Sequence, residues 1–315
     1  MATQVDNSAS TGAGRVASPS FWSGVWQNHA PGYLFLLPWL IGFLGLTIGP
    51  ILTSFYLSFT HFDLLTAPRW AGLDNYMRMF TNDPKFVASM RVTFTFVIFS
   101  VPLKLAFALG VALLLNRGMR GLSIYRALFY LPSLLGASVA IAILWRQIFA
   151  GNGLVNQLLA NFGIQGPSWI SNPNTSLWTL IILAVWQFGS PMIIFLAGLR
   201  QIPQDMYEAA SLDGASKWRQ FWKITLPMLT PVVFFNAIIQ TIEAFKSFTP
   251  SFIISGGTGG PINSTLFYTL YLYNEAFGFF RMGYASALAW VLLAIVALFT
   301  AFSFLTSKYW VHYDD

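Results

Sequence analysis

Six apolar stretches dominate the sequence, over about 33–58, 92–116, 127–145, 177–199, 228–254 and 285–306. Each is close to the ~20 residues needed to cross about 30 Å of hydrocarbon at 1.5 Å per residue. Lipid offers no water to bare backbone groups, so segments of this length are predicted to be helices. The expected fold class is therefore all-α integral membrane, with six transmembrane helices. Composition agrees: 56% of the 315 residues are hydrophobic and 9% are charged, against roughly 25% charged in a soluble domain.

Several chemistries are excluded or disfavoured at this point. With no cysteine, there are no disulfides, thiolate nucleophiles or cysteine-based metal sites. His29, His61 and His312 are too far apart in sequence to suggest a metal cluster. The net charge of +6 is dispersed between apolar runs rather than gathered on one solvated face, which argues against nucleic acid as a partner. Its better use is orientation. With the N-terminus inside, the inner side holds nine basic residues, Arg15, Arg117, Arg120, Arg126, Arg200, Lys217, Arg219, Lys223 and Lys308, against six outside. Both short connections fall inside, which predicts an N-in, C-in topology.

Residues 1–31 are rich in Ser, Thr, Ala and Gly, read as a flexible cytoplasmic tail preceding a six-helix transmembrane domain over 32–315. No cleaved leader is expected ahead of the first span. The three outer connections, about 61–91, 148–176 and 255–283, are long enough to carry function. The SGGTGGP run from Ser255 reads as a turn: no Gly-Lys-Ser/Thr follows, and no P-loop signature occurs in the chain.

The connection over about 200–227 is the most informative. Pro203 suits a first helical turn with Asp205 close behind, where the helix dipole favours negative charge. Gly214 then ends the helix by taking a positive φ. Ser216 is placed to cap a second helix, with Trp218, Phe221 and Trp222 on one face at i, i+3 and i+4, and Pro227 closing it. Glu208-Ala209-Ala210, three residues, Gly214, nine residues, then Ile224-Thr225-Leu226-Pro227 resembles the EAA loop of ABC importer permeases at every spacing. GLDNY at 72–76, LLLNRG at 113–118, YRALFYLP at 125–132 and GGPINST followed by LYLYNEAF are similar to the carbohydrate-uptake branch, of maltose and glycerol-3-phosphate permease type.

The resemblance implies a type I importer permease that is a non-catalytic pore subunit. It implies a partner ABC ATPase dimer that binds ATP and Mg, with no cofactor in this chain. A second homologous permease and an extracytoplasmic substrate-binding protein complete the implied assembly. It also implies that Glu208 is a charged contact to the ATPase, with Ala209 and Ala210 allowing close approach. Asp213 and Gly214 form the turn, and Ile224, Leu226 and Pro227 fix the loop to the fifth span. Separately, Asn236, Gln240, Glu243 and Lys246 follow spacings of four, three and three and share one helical face. Polar groups at membrane depth are costly and usually face a cavity or one another, which makes this stripe the candidate substrate pathway, with Gln187 and Trp290 as weaker additions. Glu243 and Lys246 equally suit a structural ion pair. An ion-gradient-driven secondary transporter is the competing class; it leaves the Glu-Ala-Ala spacing unexplained. No HExxH, GxSxG or paired carboxylate on one span supports an enzyme.

Overall fold

A computed structural model describes residues 35–117, 121–136 and 138–312; the expected tail at 1–31 lies outside them. The chain divides into two units, 1–53 and 54–315. The described part of the first, 35–53, belongs to helix α1 (Phe35–Ser58). Within α1 a π turn covers Phe43–Ile48, and the Gly49 amide bonds the carbonyl five residues back, at Leu44. Pro50 follows directly. A proline has no N–H and its ring collides with the carbonyl four residues earlier, so an opened turn before it relieves the conflict.

The second unit begins with a two-stranded antiparallel ribbon, β1 (Thr60–His61) and β2 (Arg69–Trp70), and a short helix α2 (Asp74–Thr81). Helix α3 (Pro84–Leu115) follows, starting eight residues before the apolar run expected from 92. The early start has a local cause. Asp83 accepts from the amides of Lys85 and Phe86, each at 3.0 Å, and Pro84 supplies the fixed φ of a first turn. Helices α4 (Leu122–Leu135) and α5 (Val139–Ile148) meet at a 95° bend, then α6 (Leu154–Ala160) lies in the next connection. Helices α7 (Pro173–Trp186) and α8 (Gly189–Leu199) form a second bent pair, at 42°.

After α9 (Gln204–Leu212) and α10 (Lys217–Gln220), a π turn at Phe221–Thr225 runs without interruption into α11 (Leu226–Phe245). Then come α12 (Thr249–Ser255), α13 (Tyr268–Tyr273) and α14 (Met282–Ser307). Counting each bent pair once, the described residues hold six apolar segments able to span a membrane.

Three expectations need correction. The third and fourth spans are each broken rather than continuous. The fifth, which runs to Ser255, is interrupted after Phe245, and its last part, α12, packs against α5. Pro227 does not close the helix before it. The helix continues through Pro227 because the Leu226 amide reaches the Phe221 carbonyl in an opened turn, the device seen before Pro50.

The break in the fourth segment follows from the same chemistry. Pro191 cannot donate to the Gln187 carbonyl four residues back. Ser133 of α4 replaces it: its hydroxyl donates to Gln187 O at 2.9 Å and accepts from the Ser190 amide at 3.0 Å. Gly189 permits the approach, since a Cβ there would lie 2.6 Å from Phe129 O.

Helix α3 is the centre of the unit, packed against α7, α8, α11 and α13. Ala108 and Ala112, one turn apart and fully buried, face Met192, Phe195 and Leu196 of α8 in one apolar cluster. Small side chains at this spacing let helix backbones come close, which is how helices associate where lipid removes the hydrophobic drive. Gly198 does the same between α8 and α11, where a Cβ would lie 2.8 Å from Val232 Cγ2.

Candidate functional site

The predicted polar residues divide between a cavity and its surroundings. A cavity of about 260 Å³ is lined by residues of α3, α7, α11 and the stretch entering α12. Gln187, Gln240, Glu243 and Lys246 all line it, so four of the six pathway candidates come together. Asn236 and Trp290 do not line it. Trp290 packs edge-on against Phe55, ring centroids 4.7 Å apart. Asn236, on the stripe one turn from Gln240, is fully buried with neither amide atom hydrogen-bonded among the described residues.

Local structure places each lining group. The break before α8 sends the Gln187 side chain across Gly136, whose carbonyl accepts from Nε2 at 3.1 Å. Gly136 is required there: a Cβ would sit 2.2 Å from Gln187 Cγ. The ending of α11 lets Lys246 fold back on Glu243, Nζ to Oε1 at 3.1 Å, with both side chains about 60% exposed. The pair expected as a structural alternative is thus formed, and it lies on the cavity wall. Lys104 of α3 lines the same space with Ser100, Ser247 and Thr249, giving a site of ammonium, carboxylate, amide and hydroxyl groups within an apolar frame.

The second site is the hairpin between α8 and α11. Helix α9 starts at Gln204, one residue after Pro203, and ends in a paired cap. The Gly214 amide donates to Ser211 O and the Ala215 amide to Ala210 O at 2.9 Å, with Gly214 at φ +76°. Ser216 caps α10 by accepting from the Arg219 amide at 3.3 Å, as its spacing predicts. Trp218, Phe221 and Trp222 gather as expected, centroids 5.3 to 6.2 Å apart.

Glu208, Ala209, Asp213 and Gly214 are exposed, and Ala210 is half-buried. Among the described residues Glu208 has no ion pair. Leu212 and Trp218 stand out at 90% and 71% exposure. Ile224, Leu226 and Pro227 are half-buried where the hairpin joins α11.

Three groups that hold the hairpin were not anticipated. Gln220 is buried, and its Nε2 donates to Ser211 Oγ at 2.8 Å and Ala215 O at 3.3 Å. The hydroxyls of Tyr207 and Thr225 share a hydrogen bond of 2.9 Å. A buried glutamine nine residues from its partner leaves no periodic signal in a sequence.

A third polar cluster sits at the start of α3. Asp83 also accepts from the hydroxyls of Tyr271 and Tyr284. Burial opposes its ionisation, but the two tyrosines and the two backbone amides outweigh it and hold the carboxyl below the usual carboxylate range. Asn75, inside the GLDNY motif, donates to Ser58 O and Thr60 O at 2.9 and 3.0 Å, so that motif fastens the exit of α1.

Six apolar segments, two of them bent, with a polar cavity within the second unit and an exposed helical hairpin between the fourth and fifth, are the marks of a helical membrane transporter subunit. The likeness to known proteins makes the class specific. Residues 93–309 match the family described as binding-protein-dependent transport system inner membrane component, and this chain belongs to that family. A probable ABC transporter permease protein, YesP of Bacillus subtilis (strain 168), is 56% identical over 92% of this chain and 94% of its own length. The lactose transport system permease protein LacF of Rhizobium radiobacter is 34% identical over 88% of this chain and 94% of its own.

The fold matches a chain in the crystal structure of a bacterial alginate ABC transporter in complex with an alginate pentasaccharide-bound periplasmic protein. The TM-score is 0.77 at 20% identity, covering 92% of this chain and 98% of that one. The chain is thus an inner-membrane ABC transporter permease.

Proposed function

We propose that this chain forms half of the translocation pore of an ATP-driven importer of sugars or oligosaccharides, with its tail and C-terminus in the cytoplasm. A second, homologous permease supplies the other half. An extracytoplasmic binding protein delivers substrate, and an ATPase dimer holding ATP and Mg drives the cycle, so that this chain catalyses nothing itself.

The observation that carries the coupling role is the hairpin's shape. An exposed carboxylate at Glu208 and exposed apolar groups at Leu212 and Trp218 surround a rigid, doubly capped turn. A bilayer surface does not need the Glu-Ala-Ala-to-Gly spacing; a cleft in a partner does. Glu208, Ala209 and Ala210 enter that cleft, Asp213 and Gly214 turn the chain, and Ile224, Leu226 and Pro227 transmit its movement. Since the helix runs unbroken from α10 through the π turn into α11, a pull on the hairpin reaches Gln240 and Glu243 along one element.

Sugar as cargo is supported by the lactose permease relative and by the lining. Amides and hydroxyls suit sugar hydroxyls, while the half-buried Phe248 suits a ring face. A volume of about 260 Å³ is less than the roughly 300–1,000 Å³ of complete ligand sites, as half of a shared pore would be.

Affinity purification of the tagged chain from its host in mild detergent, with mass spectrometry of what stays bound, tests the assembly. An ATPase and a sister permease are expected. Recovery of the chain alone, with uptake that collapses when the ion gradient is removed, would overturn the proposal.

A further inference from the structure

The cavity's charges do not balance. Lys104, Lys246 and Glu243 are the ionisable groups among its lining residues, two ammonium groups to one carboxylate. Glu243 pairs with Lys246 at 3.1 Å and its one charge is shared with Lys104 at longer range, while Lys104 makes no ion pair among the described residues, so two ammonium groups draw on a single carboxylate. Nor can Lys104 reach water by snorkelling along its helix. It lies eleven residues before Leu115, about 17 Å at 1.5 Å per residue, and as far again from the polar start of the span, well beyond the length of a lysine side chain. A charge held at the middle of a membrane marks a site where something meets it.

We propose that the cargo passing this cavity is an acidic oligosaccharide. Its carboxylate meets Lys104 while Gln187 and Gln240 take its hydroxyls. The proposal rests on the importer reading above and narrows its substrate class. One carboxylate on the sugar restores neutrality when it enters, and the empty cavity attracts anions over neutral competitors. Gln187 reinforces this arrangement, because its contact with Gly136 O holds its amide nitrogen, a donor, at the cavity wall.

The test compares host cells with and without this gene, supplied with a mixed polysaccharide hydrolysate containing neutral and uronate-bearing oligosaccharides. Mass spectrometry of the medium shows which species only the gene-bearing cells remove. Uronate-bearing species are expected. Lys104→Gln should raise the KM for them at least about tenfold, the scale of one charge-assisted hydrogen bond. It should leave the carboxyl-reduced forms of any sugar still taken up unchanged, and Lys104→Arg should recover most of the uptake of the acidic species.

Gene-dependent, ATP-dependent uptake of neutral oligosaccharides alone would overturn the proposal and leave the importer standing. So would equal effects of Lys104→Gln on acidic and neutral forms, or loss of the sister permease from the purified Lys104→Gln complex, which would assign Lys104 to a carboxylate of that subunit. Absence of any gene-dependent oligosaccharide uptake would overturn both readings.

Discussion

Gly214 shows how much one backbone angle can carry. Its φ of +76° closes the turn of the hairpin, yet a Cβ there would meet nothing within 4 Å. The cost of a side chain is conformational, about 1–2 kcal/mol for most residues and least for Asn. Gly214→Val should therefore cut ATP-dependent uptake by about tenfold with the protein still inserted, while Gly214→Asn keeps most of it; equal rates in the two would show that the angle is not what matters. Asp83 acts through charge. Its depressed native value means that its stabilisation is complete above the ordinary carboxylate value of 3.8 and is lost as pH falls through the lower native one. Thermal unfolding of the purified protein between about pH 5 and about pH 3 should show a loss of stability that Asp83→Ala removes. That variant should also be less stable at neutral pH by on the order of 1–3 kcal/mol, since two tyrosine hydroxyls lose their acceptor.

The breaks are the main finding at the level of elements. The fourth segment bends because Pro191 withholds a donor from Gln187, and Ser133, more than fifty residues earlier, makes good the loss. Ser133→Ala leaves that carbonyl bare and should lower stability by about 1–3 kcal/mol. Adding Pro191→Ala restores a donor within the helix and should recover part of it, measurable as thermal unfolding of the double variant against the single. Here lies the limit of what the sequence discloses. Apolar length announced the six segments, and local spacing announced the Gly214 turn and the Ser216 cap. The bends were hidden because Ser133 and Gln187 belong to different elements, and hydropathy reads through Lys246 without registering that α11 stops there. The early start of α3 was legible in the Asp-Pro pair at 83–84, which an apolarity criterion passes over.

For the whole molecule, the cavity and the hairpin are joined by one helix, and the account stands on that connection. Residue spacing brought three of the four stripe residues to the cavity, where Gln187 joins them, while Trp290, chosen apart from the stripe, packs its ring against Phe55. Asn236 lies on the right face but is sealed away, which helical spacing alone does not reveal. The chain's freedom from cysteine makes contacts easy to test: a single Ala209→Cys should cross-link to the ATPase subunit in the assembled complex, and a cysteine at Leu65, an exposed position in the connection before α2, should not.

The most direct measurement is uptake by proteoliposomes containing this chain, its sister permease and the ATPase, with the binding protein and sugar outside and ATP inside. The account predicts uptake that requires ATP and falls about tenfold with Gly214→Val while the complex stays intact. Uptake driven by an ion gradient without ATP, or undiminished in that variant, would contradict it.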